Sequence, residues 1–442
     1  MVIFYAEKLN PRIEYASRLI FQDILNVDIH FTTNREEFLK GNSPKVNYSN
    51  ARLDDELLII PDSFLFYSSL SKPVIKPFLY NNDYYIFESP AGSDLPFDPF
   101  ASAFYLVTRF EEYFETVTDK YNRYPASISI LSEYDLFKKP VVNIWARKLA
   151  GKLKEKYPEI NIPVPQFEFI STIDVDNAWS YVHKGFLRCS GALLRSAIKG
   201  NFAETFERIK VLTGSVPDPF FTYPWLDEVF KGHEEQVIFF FALGNYSRYD
   251  KNIPWKNKYL QELIRKTLKK YSVGIHPSFY SADNSGDGLL KSEISRFLQI
   301  IGVNPEKSRQ HYIRLKLPVT YRRLIDNGIK EDYTMGYASR TGFRAGICTP
   351  FNFYDIENDR VTPLKVFPFQ VMDTTLRDYM GLTPDKAMEE IEVLMNEVKN
   401  AGGTFISIWH NESLSGRDKW KGYREVFYKM NQTGFNWSNE HK

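Results

Sequence analysis

From Phe167 onward, short apolar stretches of strand character alternate with longer stretches whose apolar residues recur at helical spacing. The strand candidates are Phe167 to Ile173, Gln236 to Ala242, Ser272 to His276, Ser308 to Tyr312, Asp332 to Gly336, Phe343 to Ile347, Lys365 to Val371 and Thr404 to His410. Segments such as "NKYLQELIRKTLKK", "PVTYRRLIDNG" and "PDKAMEEIEVLMNEVKNAGG" separate them. Strands linked through helices run parallel, and about seven or eight such units in series favour a closed or nearly closed barrel. A (β/α) barrel is therefore the expected architecture.

Upstream, "KYPEINIPVPQFEF" sets Pro158, Pro163 and Pro165 between an amphipathic helix expected over Pro140 to Lys156 and the first of these strands. Prolines break helices and favour extended connectors, which places a domain boundary here. Residues 1–164 then form a small N-terminal α/β domain and residues 165–442 the barrel. In the first, "VIFY", "VDIHFTT" and "LLIIP" read as strands, and "RIEYASRLIFQDIL" and "FASAFYLVTRFEEYFETV" as helices. Arg109, Glu111 and Glu112 are expected on the solvated face of the second helix, and His30 is expected to be structural.

Charge narrows the function classes. Lys plus Arg number 56 and Asp plus Glu 55, so there is no overall basic field to gather nucleic acid or anionic lipid. The longest unbroken apolar run, Val237 to Leu243, falls far short of the ~20 residues that span a bilayer. The two cysteines, Cys189 and Cys348, fit a reducing compartment, and the N-terminus lacks the basic start of a secretory signal, so a cytoplasmic protein is expected.

The chemistry collects at strand ends. In "FISTIDVDNAWSY" an apolar strand stops on Asp174 and Asp176, which point the same way about 7 Å apart. Two carboxylates on one face need a cation, a shared proton or a basic partner. His276 ends "YSVGIHPS", Arg309 and His311 lie in "SRQHY", Arg344 in "GFRAG", Asp373 follows "FPFQVM", and His410 ends "FISIWH". In an α/β barrel the C-terminal strand ends converge on one mouth, so these residues can meet. Imidazoles and a carboxylate bind a divalent ion such as zinc, a second carboxylate can take a proton from water, and a histidine can protonate a leaving group. "DNSGDG" (Asp283 to Gly288) resembles the start of a calcium loop, but Ile294 stands where a bidentate Glu belongs, which leaves a polar turn as the default.

These motifs resemble the polysaccharide deacetylase (NodB-like, carbohydrate esterase family 4) superfamily over roughly Pro165 to Trp420. "STIDVD" is similar to its first motif, "GIHPSFY" to its second and "SISIWHN" to its last. The whole chain resembles a two-domain bacterial subgroup common among Bacteroidetes. The resemblance implies a distorted barrel, a divalent metal with zinc the best match, and a carbohydrate substrate. It also implies Asp174 as general base, Asp176 and His276 as metal ligands, and His410 as general acid. The superfamily's second motif carries two histidines four apart, whereas Tyr280 stands four after His276 here, so His311 is the candidate third ligand. Arg309 or Arg344 would orient the acidic pair, and Asp373 would support His410. Deacetylation of an acetylated sugar polymer in envelope or capsule metabolism is the leading expectation. The alternatives are an altered barrel that binds glycan or an assembly partner, an aspartyl-phosphate phosphatase, which lacks the lysine and acid it would need, and a two-carboxylate glycosidase.

Overall fold

The structure is a computed structural model that describes residues 1–67, 70–198, 200 and 202–440. The N-terminal segment builds a parallel sheet in the order β2-β1-β3-β4 from β1 (Val2–Ala6), β2 (Ile29–Thr32), β3 (Lys45–Tyr48) and β4 (Leu57–Ile59). All five residues of β1 are buried, as expected of a parallel strand covered on both faces. A hairpin follows, β5 (Phe78–Tyr80) and β6 (Asp83–Tyr85), turned by Asn81 and Asn82 at φ +49° and +64°. Asn tolerates that left-handed geometry better than most residues.

The helix Pro99–Val107 is capped by Asp98, which accepts from the Phe100 and Ala101 amides at 2.9 and 3.0 Å. It stops sooner than the sequence pattern suggests, because Arg109 takes φ +54° and turns the chain. That turn overturns one expectation. Arg109, Glu111 and Glu112 do not form a solvated face; Arg109 is fully buried and pairs with Glu111 at 2.7 Å and Glu112 at 2.8 Å. Glu112 in turn receives Arg344 at 2.6 and 3.0 Å. Burial works against the Glu112 charge, but the two guanidiniums hold its carboxyl below the ordinary carboxylate value.

The second sheet comprises β7 (Phe167–Val175), β8 (Val237–Phe241), β9 (Ser272–Ile275), β10 (Lys307–Ser308), β11 (Glu331–Asp332), β12 (Phe351–Asp355), β13 (Arg360–Val366), β14 (Val371–Met372) and β15 (Gly403–His410). Its order is β12-β13-β11-β10-β9-β8-β7-β15-β14. Only the β12–β13 pair is antiparallel. The ends of this sheet meet. The chain from β13 to β14 donates to β11's side through Phe367 N to Asp332 O (2.8 Å) and Phe369 N to Met335 O (3.0 Å). It then crosses to β15 through Gln370 N to Ile406 O (3.0 Å), and the Gln370 side chain accepts from Ile406 N at 2.7 Å. One interrupted strand thus closes the ring, giving a distorted barrel with β12 as an outer flap.

The expected strand Phe343 to Ile347 is not one. Gly342 and Gly346 hold φ +113° and +64° and fold it into turns, and a Cβ on Gly342 would come within 2.1 Å of the Phe137 carbonyl. The N-terminal segment packs where such a strand would run. The ring closes without it, through the chain from β13 to β14 that covers the expected strand Lys365 to Val371, and β12 pairs with β13 from outside the ring.

Side-chain alternation sets what enters the barrel. Ile238, Phe240, Ile406 and Ile408 pack with Tyr333, Phe369 and Met372 in the interior, while Ile173, Val175, Phe239 and Phe241 join the layer beneath the helices. By the same parity Thr172, Asp174, Asp176 and His410 face inward.

Breaking a buried ion pair leaves an uncompensated charge, so Arg344→Ala should cost about 3–5 kcal/mol of stability in urea unfolding. A loss below about 1 kcal/mol would contradict a structural role for the pair.

Candidate active site

Register places the key residues side by side. Asp174 pairs with His410 across β7–β15 and with Phe240 across β7–β8, and Phe240 pairs with Gly274. A Cβ at Gly274 would meet the Phe240 ring at 2.6 Å, so glycine makes room for that ring. The Arg309 guanidinium lies over it at 4.5 Å and reaches β7, giving Nη1 bonds of 2.7 Å to both Thr172 Oγ1 and Asp174 Oδ1. His276, two residues past Gly274, points the same way into the mouth.

Asp176 sits at the centre. Its Oδ1 is 3.2 Å from His276 Nε2, and its Oδ2 is 3.2 Å from His311 Nε2 and 3.8 Å from His410 Nε2. The backs of all three rings are engaged by acceptors. His276 Nδ1 donates to the Arg309 carbonyl at 2.6 Å, His311 Nδ1 to Asp250 at 2.8 Å, and His410 Nδ1 to Asp373 at 2.8 Å. With hydrogen on Nδ1, each neutral ring aims an Nε2 lone pair at a carboxylate. That arrangement requires positive charge between or upon them.

The requirement can be met by protons on the rings or by a metal ion. The His276 and His311 Nε2 atoms and an Asp176 oxygen lie within 4.8 Å of one another, and Asp176 Oδ1 is a buried acceptor with no hydrogen-bond donor. Two imidazoles and one carboxylate, each ring held from behind, match the donor set and the outer shell of a catalytic zinc site. Asp176 keeps 25% of its side-chain surface exposed against 2% for Asp174, so the cluster opens toward solvent on the Asp176 side. Burial works against charge on His311, yet Asp176 and Asp250 raise it to about 10. Burial likewise opposes the Asp176 charge, and His311, His276 and His410 hold that carboxyl well below its ordinary value.

His410 is held from both ends. Asp373 accepts from its ring at 2.8 Å and its amide at 2.8 Å, and also takes the Ser413 hydroxyl and the Thr374 amide. Burial lowers the imidazole, but Asp373, then Asp176 and Asp174, raise it well above the usual histidine value. A protonated Nε2 beside Asp176 is the result.

The structure brings together Asp174, Asp176, His276, Arg309, His311, Asp373 and His410. It leaves Arg344 out, since that guanidinium is committed to Glu112 and the Gly336 carbonyl. Tyr280 is 38% exposed and outside the cluster, with His311 in the third position. Asp283 of the calcium-like stretch pairs with Arg314 at 2.6 Å and Asp287 opens the helix Asp287–Ile301, a polar turn as expected. Sequence reasoning missed Asp250, whose carboxylate also accepts from Phe279 N (2.9 Å) and Ser247 Oγ (2.7 Å). It lies in "NYSRYDKN" after β8, where the only signal is a polar loop at a strand's C-terminal end. It also missed the clamp on His311. The next two residues, Tyr312 and Ile313, both hold left-handed φ of +60° and +56°, a costly conformation for such side chains. Arg123 Nη1 holds the Tyr312 carbonyl at 2.9 Å, and Arg314 Nε holds that of Tyr121 at 2.9 Å.

Residues 2–158 match a family of unknown function (DUF7033). No curated protein matches the chain. Among solved structures, a proposed polysaccharide deacetylase from Mycobacterium smegmatis is 17% identical, covers 62% of this chain and 86% of its own, and has a TM-score of 0.39. An allantoinase is 11% identical, with 62% and 85% covered and a TM-score of 0.38. A pseudoenzyme of the CE4 family from Bacillus anthracis is 13% identical, with 61% and 62% covered and a TM-score of 0.27. The first and third are of the kind that the sequence motifs resemble; at such scores the likenesses add nothing on chemistry.

Removing the acceptor behind a metal-binding imidazole typically weakens metal affinity 10–100-fold, so Asp250→Ala should do so for zinc in a chelator competition. A change under about threefold would contradict its role behind His311. A second test concerns Glu293, which accepts from Ser278 N (3.0 Å) and Ser278 Oγ (2.5 Å) just past His276. Burial raises its carboxyl from 4.5 to about 7 against the pull of those bonds. The folded protein keeps this proton to higher pH than the unfolded chain, so stability falls as pH rises from about 4.5 to about 7, by about 3 kcal/mol in all. Glu293→Gln should flatten that slope in urea unfolding followed across this range; parallel slopes for the two proteins would contradict it.

Proposed function

We propose that the barrel is a divalent-metal-dependent hydrolase that removes acetyl groups from an acetylated sugar or polysaccharide. The observation that carries this reading is the pairing of unlike groups around Asp176: an arginine-held carboxylate, Asp174, and a carboxylate-held imidazole, His410, face the same mouth. The residues fit a metal held by Asp176, His276 and His311, which would supply Lewis-acid polarisation of an acetyl carbonyl and a lowered water pKa.

The chain's own groups then have defined tasks. Arg309 holds Asp174 in place through Oδ1, so that Oδ2 is turned to accept a proton from the attacking water. His410, fixed through Nδ1 by Asp373, presents a protonated Nε2 to the departing nitrogen or oxygen. The acetyl C–N or C–O bond breaks as that proton is delivered, and acetate leaves with the water's oxygen. Before the next cycle Asp174 must release the proton it took and His410 must regain one, which solvent at the open Asp176 side can exchange.

In this assignment residues 1–164 form an N-terminal module whose Arg123 buttresses the His311 turn, and residues 165–442 form the catalytic barrel. Two unpaired cysteines support a reducing, cytoplasmic setting, and among the described residues no helix is long and apolar enough to cross a membrane. An acetylated precursor of an envelope or capsule polysaccharide fits that setting. Glycan binding without turnover is the competing reading, and the exchange of the superfamily's second histidine for Tyr280 favours it.

Acetate release from zinc-loaded protein on a panel of acetylated oligosaccharides discriminates between them. Asp174→Asn and His410→Ala should each lower the rate about 10²–10⁴-fold, as loss of general acid–base groups does. Wild type and both variants behaving alike across the panel would sink catalysis.

A further inference from the structure

Between β7 and β8 the chain carries charge and apolar surface that the site does not use. The helices Phe186–Ile198 and Phe202–Leu212 pack against each other there. The near-zero net charge of the whole chain hides a local excess: residues 184–201 include Lys184, Arg188, Arg195 and Lys199 and no acid.

On the first helix Leu194 and Ile198, one turn apart on the same face, are 62% and 76% exposed. On the second, Phe202 and Phe206 are 73% and 63% exposed, and Ile209 continues their face while Arg208 and Val211 turn inward. Side chains of this size, spaced to share helix faces, mark an interaction surface. Cations flank them: Arg195 is exposed beside Leu194, and Lys210 Nζ lies 5.0 Å from the centre of the Phe206 ring. The acids of the second helix are engaged within the protein, Glu204 with Arg208 at 2.9 Å and Glu207 with the Tyr181 hydroxyl and Arg417. The charge that Arg195 and Lys210 present on this surface is positive.

We propose that this helical pair docks the protein onto an anionic phospholipid surface, with the leucine, isoleucine and phenylalanine side chains entering the headgroup–acyl boundary and the flanking cations meeting lipid phosphates. Apolar anchors bordered by Lys and Arg are the pattern of helices that lie in a membrane interface. A second copy of the chain is a poorer occupant, because a dyad across this face sets the exposed Arg195 and Lys210 against their own copies. The second helix also walls a cavity of about 850 Å³ that includes Glu412, two residues past His410, so docking sets that opening beside the lipid.

Co-sedimentation of the full chain with extruded vesicles tests the proposal. Binding to vesicles of equal phosphatidylcholine and phosphatidylglycerol should exceed binding to phosphatidylcholine alone by more than about tenfold and weaken with added salt. Leu194→Ser/Ile198→Ser/Phe202→Ser/Phe206→Ser and, separately, Arg195→Glu/Lys210→Glu should each reduce it by more than about tenfold, with thermal unfolding unchanged because all six side chains are exposed. The proposal is overturned by wild type remaining in the supernatant, by equal binding to neutral vesicles, by undiminished binding of the serine variant, or by a wild-type dimer in light scattering that the serine variant dissociates.

Discussion

Three imidazole nitrogens converge on the carboxylate of Asp176, and each ring is fixed from behind by an acceptor on its other nitrogen. This electrostatic demand for positive charge organises the mouth of the barrel. Asp250, the Arg309 carbonyl and Asp373 set the tautomers, and those three acceptors come from different loops. The rings can aim at one point only because the staves behind them are in register. Gly274, the Phe240 ring and the Arg309 guanidinium stack in sequence beneath the cluster, and Arg309 ties that stack to Asp174.

The N-terminal segment belongs to this arrangement and does not merely precede it. Arg123 reaches across to the strained turn after His311, while Glu112 neutralises Arg344 at the foot of the loop that replaces an expected stave. Buried guanidinium–carboxylate contacts of this kind set relative position more than they add net stability. A barrel in which His311 is followed at once by two left-handed residues needs such a support, which gives a physical reason for the two parts of the chain to pack as closely as they do.

Much of this was legible before any coordinates. Asp174, Asp176, His276 and His410 each end an apolar run, and period-two alternation is enough to turn them inward once the strands are parallel. His311 was legible because "SRQHY" falls where the superfamily's arginine-bearing third motif would come, once Tyr280 leaves the second motif a histidine short. What stayed hidden had weak local signal. Asp250 lies in a polar loop that could serve any turn, and the strands expected over Ser308 to Tyr312 and Asp332 to Gly336 are real but keep only two residues each, β10 and β11, before the chain turns. Arg344 looked functional as a lone arginine between glycines, but its partner lies 232 positions away and was itself misplaced on a solvated face, because a single left-handed residue at Arg109 ended the helical pattern.

Crystals of the zinc-loaded protein, with anomalous scattering recorded at the zinc edge, test the central claim most directly. The account requires one anomalous peak at bonding distance, about 2.0–2.2 Å, from Asp176, His276 Nε2 and His311 Nε2, with His410 unligated and still on Asp373. A peak elsewhere, or His276 and His311 turned so that Nδ1 faces Asp176, would contradict it.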